Sequence, residues 1–210
     1  MRLIDGWWVP DICSGPGKYI RRSAVIDYAL GFWHGPRRCV VQASAHVGTF
    51  ARRLVQHFEQ VVCVEPAPEN WECLVLNTQH TPRIARYYGI LGAMKGVAAV
   101  NIQPHGSAGH HVMTREDRPH VAVTVHTIDT LGYDDVDALF LDLEGFELLA
   151  LQGAMQTLGK YHPLIVAEDN GCSQKYGILL GAIGAWLGKE CGYRLVGTHC
   201  EDSIFVPGES

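Results

Sequence analysis

The chain has 210 residues, 47% hydrophobic and 19% charged, with 17 Lys and Arg against 22 Asp and Glu, a formal net charge of −5. That balance describes a globular chain with a sizeable core and argues against disorder, low-complexity structure and a dedicated nucleic-acid binder. No apolar run approaches the roughly 18–20 residues that span a bilayer, and the segment from Met1 to Trp8 lacks the apolar stretch of a signal peptide, so a cytoplasmic location is expected.

The first 20 residues, rich in Gly, Pro and Trp, read as an irregular arm whose Trp7, Trp8 and Tyr19 pack over the sheet or stack on a ring. Arg21 to Trp33 has helical apolar spacing (Val25, Ile26, Ala29, Leu30), and Gly35-Pro36 stops it. Residues 1–35 are thus expected to form an arm and a helix, and 36–210 the main domain. There a rhythm begins. Arg38 to Ala43 reads as a buried strand and Gly48 to Phe58 as a helix. Val61 to Glu65 is a second strand. Pro66 to Asn77 is a helix with Pro68 in its first turn, and Tyr87 to Leu91 a third strand.

Val97 to Gln103 and Val121 to Thr127 read as strands joined by a Gly- and His-rich stretch. A β-hairpin or lid-like insertion is expected near 97–127. The rhythm then returns. Asp137 to Asp142 is a strand, Phe146 to Leu158 a helix, Pro163 to Glu168 a strand, and Tyr176 to Cys191 a helix containing three glycines. Tyr193 to Val196 and Ser203 to Val206 are strands only six residues apart, too close for a parallel crossover, so they pair antiparallel. Alternating strands and helices with apolar strands imply a mostly parallel sheet covered on both faces.

Ligands of open α/β sheets bind outside the carboxyl ends of the strands. The residues at those ends are Gln42 to Gly48, Glu65, Gly89 to Gly92, Asp142 to Gly145 and Glu168 to Gly171. Small residues in the first turn allow close backbone approach to a ligand, and Gly48 opens the next helix. Glu65 suits a ribose diol, and Pro66 fixes the turn that follows. Asp142 and Glu144, two apart at a strand end, can face one mouth. Asp142 with Glu168, Asp169 and Asn170 has oxygen donors suited to Mg²⁺ or Ca²⁺. These acids are read instead as solvated or acceptor-binding, and no metal is assigned. Seven cysteines without a Cys-x-x-Cys pair read as reduced core thiols. His105, His110, His111 and His120 fall in the insertion and read mainly as loop residues. The pairs Arg21-Arg22, Arg37-Arg38 and Arg52-Arg53 read as solvated rim positions.

Four strings together resemble the FkbM-type methyltransferases. They are Val41 to Gly48, Val64-Glu65-Pro66, Thr127-Ile128-Asp129, and Leu141-Asp142-Leu143-Glu144-Gly145-Phe146-Glu147 with its downstream Leu151-Gln152-Gly153-Ala154. The resemblance implies a Rossmann-like class I methyltransferase α/β fold. Its sheet is mostly parallel and seven-stranded with a terminal antiparallel pair, and helices cover both faces. It also implies methyl transfer from S-adenosylmethionine, usually to oxygen, so the expected acceptor is a hydroxyl of a small molecule or glycan. No membrane or nucleic-acid partner is expected, and a homo-oligomer is left open. By position, Gln42, Ser44, His46 and Gly48 would line the methionine end of the cofactor. Glu65 with Pro66 would hold the ribose, and Ile90 and Leu91 would border the adenine. Asp142 would sit by the donor methyl, with Asp142 and Glu144 as catalytic candidates. The first motif departs from the family's Asp-x-Gly-Ala: Gln42 replaces the acid and Ser44 the glycine. A catalytically weak or inactive relative with a binding or assembly role is therefore the second reading.

Overall fold

The computed structural model describes residues 1–103, 108–113 and 120–208. At its start, β1 (Arg2–Ile4) and β2 (Trp7–Val9) form an antiparallel hairpin rather than an irregular arm. Asp5 and Gly6 turn it with φ of 51° and 78°, the left-handed pair that an Asp-Gly sequence favours. The expected helix 21–33 is divided into α1 (Gly17–Arg22) and α2 (Val25–Leu30). Between them the Ser23 hydroxyl donates to the Ile20 carbonyl at 2.7 Å, a local bond that competes with helix continuation.

The main domain runs β3 (Cys39–Ala43), α3 (Thr49–Leu54), β4 (Gln60–Glu65), α4 (Pro68–Thr78) and β5 (Ile84–Tyr88). Four short strands follow, β6 (Ile90–Leu91), β7 (Gly96–Asn101), β8 (His111–Val112) and β9 (His120–His126). The chain then returns to β10 (Val136–Leu141), α5 (Glu147–Gln152), α6 (Met155–Tyr161), β11 (Leu164–Glu168), α7 (Ala182–Cys191), β12 (Tyr193–His199) and β13 (Asp202–Pro207). Helix α4 starts at Pro68, so Pro66 lies in the link before it rather than opening the helix.

Seven strands make one mixed sheet in the order β12-β13-β11-β10-β3-β4-β5. The pairings from β11 through β5 are parallel, and β13 runs antiparallel to both of its neighbours. Alternate strand residues feed two cores. Val41, Val62, Leu139, Leu141 and Ile165 pack with α5, α6 and α7 on one face. Val40, Val61, Ala138, Phe140 and Val166 pack with α2, α3 and α4 on the other. This two-sided burial explains the continuous apolar strands in the sequence.

Tyr87 to Leu91 is not one strand. Gly89, at φ 148°, separates β5 from β6, and β6 joins a second sheet of order β6-β9-β7-β8. In that sheet β7 and β9 pair antiparallel, and residues 104–107 and 114–119 of the connecting stretch, His105 among them, lie outside the described residues. The expected helix 146–158 breaks at Gly153, where a Cβ would collide with the Gly92 carbonyl oxygen. The expected helix 176–191 shortens to α7, because Gly177 and Gly181 take positive φ. Four cysteines, Cys13, Cys39, Cys63 and Cys73, are buried, and every described cysteine is a free thiol.

Candidate functional site

A cleft open to solvent lies over the carboxyl ends of β3, β4 and β10. Its floor is the turn after β3. Ser44 and His46 both sit at φ 53°, in the left-handed region that costs an L-residue roughly 1–2 kcal/mol. Gly48, at φ 92°, precedes α3, and a Cβ there would meet Leu74 at 3.0 Å and Thr78 at 3.2 Å. Glycine at 48 thus leaves room for Leu74 and Thr78 of α4 and takes a φ that strains other residues. Gln42 is buried at the cleft wall, where its Oε1 accepts from the Cys63 thiol at 3.7 Å.

Glu65 ends β4 and is 2% exposed. Its Oε1 accepts from the Ala67 amide (2.9 Å) and the Asn70 side-chain amide (3.3 Å), and its Oε2 from the His46 amide (2.8 Å). Burial raises its pKa to about 7 even though those three donors pull it down. The carboxylate therefore ties the β3 turn to the start of α4.

The loop after β10 carries the other half. Asp142 and Glu144 line the cleft, Glu144 at φ 53°. Gly145, at φ 100°, lies against the backbone of Cys172 and Ser173, where a Cβ would come within 2.5 Å. Glu147, 1% exposed, accepts from the Leu143 amide (2.6 Å) and the Gly145 amide (3.2 Å), so it shapes the loop from within. Burial raises its pKa to about 7 against those bonds.

Arg22, at the end of α1, enters this acidic mouth. It pairs with Asp142 (Nη1 to Oδ2, 3.2 Å), with Glu168 and, at 3.9 Å, with Glu201. Burial and the neighbouring carboxylates raise the pKa of Asp142 and Glu168, with Arg22 opposing. Tyr19, one helical turn before Arg22, lies on the His46 ring with centroids 4.1 Å apart. The N-terminal helix thereby roofs the cleft.

Of the residues singled out by sequence, Gln42, Ser44, His46, Glu65, Pro66, Asp142 and Glu144 line one cleft. Gly48 lies behind it. Ile90 is buried in the apolar cluster of the second sheet and Leu91 in a core of the main sheet, and neither lines the cleft. Asp169 and Asn170 turn away. Asp169 accepts from the Gly181 amide at 3.1 Å and Asn170 from the Cys172 amide at 2.9 Å. His110 lines the cleft, whereas the His111 ring turns to the Gly109 carbonyl. Sequence reasoning missed Asp202 and read Arg22 as a solvated rim position, whereas Tyr19, expected to pack or stack on a ring, lies against the His46 ring. The paired arginines are not alike: Arg22 is inside the acidic mouth, whereas Arg38 is held by Asp135 and Asp137 at the start of β10. Only the helical spacing of Tyr19 and Arg22 onto one face hinted at a shared target.

Solved structures share this architecture. The chain is similar to a methyltransferase FkbM from Methylobacillus flagellatus, at 18% identity and a TM-score of 0.59, over 85% of this chain and 47% of that one. It therefore spans about half the length of that protein. It is also similar to a precorrin 8w decarboxylase from Methanobacterium thermoautotrophicum (12%, TM-score 0.57, 98% and 99% covered). A third similar structure is that of the N-methyltransferase NodS from Bradyrhizobium japonicum (10%, TM-score 0.52, 93% and 99% covered). The fold is thus the class I methyltransferase α/β fold. Within it, the model of the methyltransferase FkbM domain matches residues 42–195, and the chain belongs to that family. No curated protein sequence matches the chain. Arg22 and Asp202 fall outside the matched span.

Proposed function

We propose that the protein binds S-adenosylmethionine in this cleft and transfers its methyl group to a hydroxyl of a small molecule or glycan. The observation that carries the reading is the convergence of Ser44, His46, Glu65 and Asp142 on one cleft at the strand ends of a methyltransferase-family chain. The residues fit such a donor. Two of the four acceptor positions of the Glu65 carboxylate, those on Oε1, are filled, and the His46 amide fills one on Oε2. One position on Oε2 remains for a ribose hydroxyl among the described residues. Pro66 and Asn70 border the same wall, and the Ser44 to His46 turn presents backbone to the methionine end.

When bound, the donor supplies a sulfonium methyl already activated for displacement, so positioning carries much of the rate. Asp142 has the remaining task. Its carboxylate, held by Arg22 and raised in pKa, can orient an acceptor hydroxyl and take its proton. Glu144 stands beside it as the second carboxylate. Asp142→Asn should slow transfer about a hundredfold with unchanged circular dichroism. Full activity in that variant would exclude an essential carboxylate there. Donor binding is tested by titration calorimetry, where Glu65→Ala should weaken affinity by about 1–3 kcal/mol. The second reading, a binding or assembly role without transfer, is favoured by Gln42 standing where the family carries an acid. Methyl transfer to any acceptor would remove it.

A further inference from the structure

We propose that the acidic mouth beside Arg22 is a divalent-cation site, built by Asp142, Glu144 and Glu168 for a hard, oxygen-preferring ion such as Mg²⁺, Mn²⁺ or Ca²⁺. One oxygen from each of these three carboxylates lies within 4.8 Å of the others. That spread suits a central ion with ligand distances of about 2.0–2.6 Å. The three reach it from two strand ends: Asp142 and Glu144 follow β10, and Glu168 closes β11.

A cluster of acids is common without an ion, so the surrounding groups decide. Asp202, at the start of β13, lines the same cleft and is only 6% exposed. Its Oδ2 is buried and has no hydrogen-bond donor among the described residues. It sits directly across the β11–β13 pairing from Glu168, which is 4% exposed and has its own Oε2 buried without a donor among the described residues. Two buried carboxylates facing each other across a strand pair repel, and each leaves an acceptor unmet. Arg22 meets part of this demand. It holds Oε1 of Glu168 and Oδ2 of Asp142, while the Cys172 thiol holds Oε2 of Glu144 at 3.8 Å. Each cluster carboxylate thus has one oxygen anchored, as supporting contacts orient metal ligands. Ionised, Asp142, Glu144, Glu168 and Asp202 exceed the single guanidinium by three charges, before the more exposed Glu201 that also reaches Arg22 is counted. A divalent ion reduces that excess to one and supplies the missing partner of Glu168 Oε2. Asp202 acts from behind, adding field rather than a ligand.

The test is Mn²⁺ titration of the full chain without any methyl donor, followed by the electron paramagnetic resonance of the free ion. One saturable site is expected, displaced by Mg²⁺ or Ca²⁺. Glu168→Gln and Glu144→Gln should each weaken it at least about tenfold. Glu144 is a partly exposed loop residue, so its variant keeps the test open should Glu168→Gln misfold. Asp134→Asn, an exposed carboxylate elsewhere, should leave binding unchanged. No saturable binding at millimolar Mn²⁺, or binding indifferent to Glu144→Gln, would overturn the proposal and leave protons as the balancing charge. Because the donor is absent, either result is independent of whether S-adenosylmethionine binds.

Discussion

Gly145 and Glu147 show how much of the string from Asp142 to Glu147 serves the loop rather than the cleft. In the run from Asp142 to Glu147, Asp142 and Glu144 face the cleft, whereas Gly145 fits against a neighbouring backbone and Glu147 ties two amides of its own loop. Gly145→Ala meets both a forbidden φ and a backbone collision, so it should lower stability by about 3 kcal/mol in urea denaturation. Ser44 is the converse case. Its left-handed φ is relieved by glycine, so Ser44→Gly should raise stability by about 1 kcal/mol. An unchanged midpoint would show that the turn stores no strain. The strand-end carboxylates were legible because a strand's last residue and the sheet's mouth coincide. Arg22 was not, since its partners lie about 120 residues or more away and a charge pair leaves no periodic trace.

Helix boundaries depart most from the apolar spacing of the sequence, and the reason is tertiary. Apolar spacing continues smoothly from Phe146 to Leu158, but the chain must admit the Gly92 carbonyl at Gly153. The new helix, α6, then needs its own cap. Asp129 supplies it from a distant segment: Oδ1 accepts from the Thr157 amide (2.9 Å) and hydroxyl (2.7 Å), and Oδ2 from the Gln156 amide (3.0 Å). The Thr127-Ile128-Asp129 string is therefore a splice between elements. Asp129→Ala should cost about 1–2 kcal/mol, read as a lowered denaturation midpoint, while Asp129→Asn should lose less. The hairpin at Asp5-Gly6, by contrast, was written locally in a dipeptide and could have been found from it. The alternation of strand and helix was legible throughout the main domain, because two-sided burial forces apolar runs that polar helix faces interrupt.

For the molecule as a whole, the net charge of −5 conceals an uneven distribution. Glu65 and Glu147 are buried with pKa values near 7, against about 4.5 when exposed. A carboxyl raised on folding binds its proton more tightly in the native state. Its stabilising contribution is full below the unfolded pKa and is lost as pH rises through the folded one. Stability should therefore fall between about pH 5 and pH 7.5, by on the order of 3 kcal/mol for each group. Melting temperature measured across that range checks the sign, and Glu65→Gln should flatten the slope. A melting temperature that climbs with pH through this window would mean that the hydrogen-bonding donors outweigh burial.

The position of β13 has a practical corollary. It lies between β11 and β12 in space, yet it comes after the family-matched span in sequence. A fragment cut at residues 42–195 would lose the strand that joins β12 to the sheet, along with the arginine that answers the acids of the mouth. The span recognised by likeness is smaller than the sheet it belongs to, and expression boundaries should enclose the whole sheet.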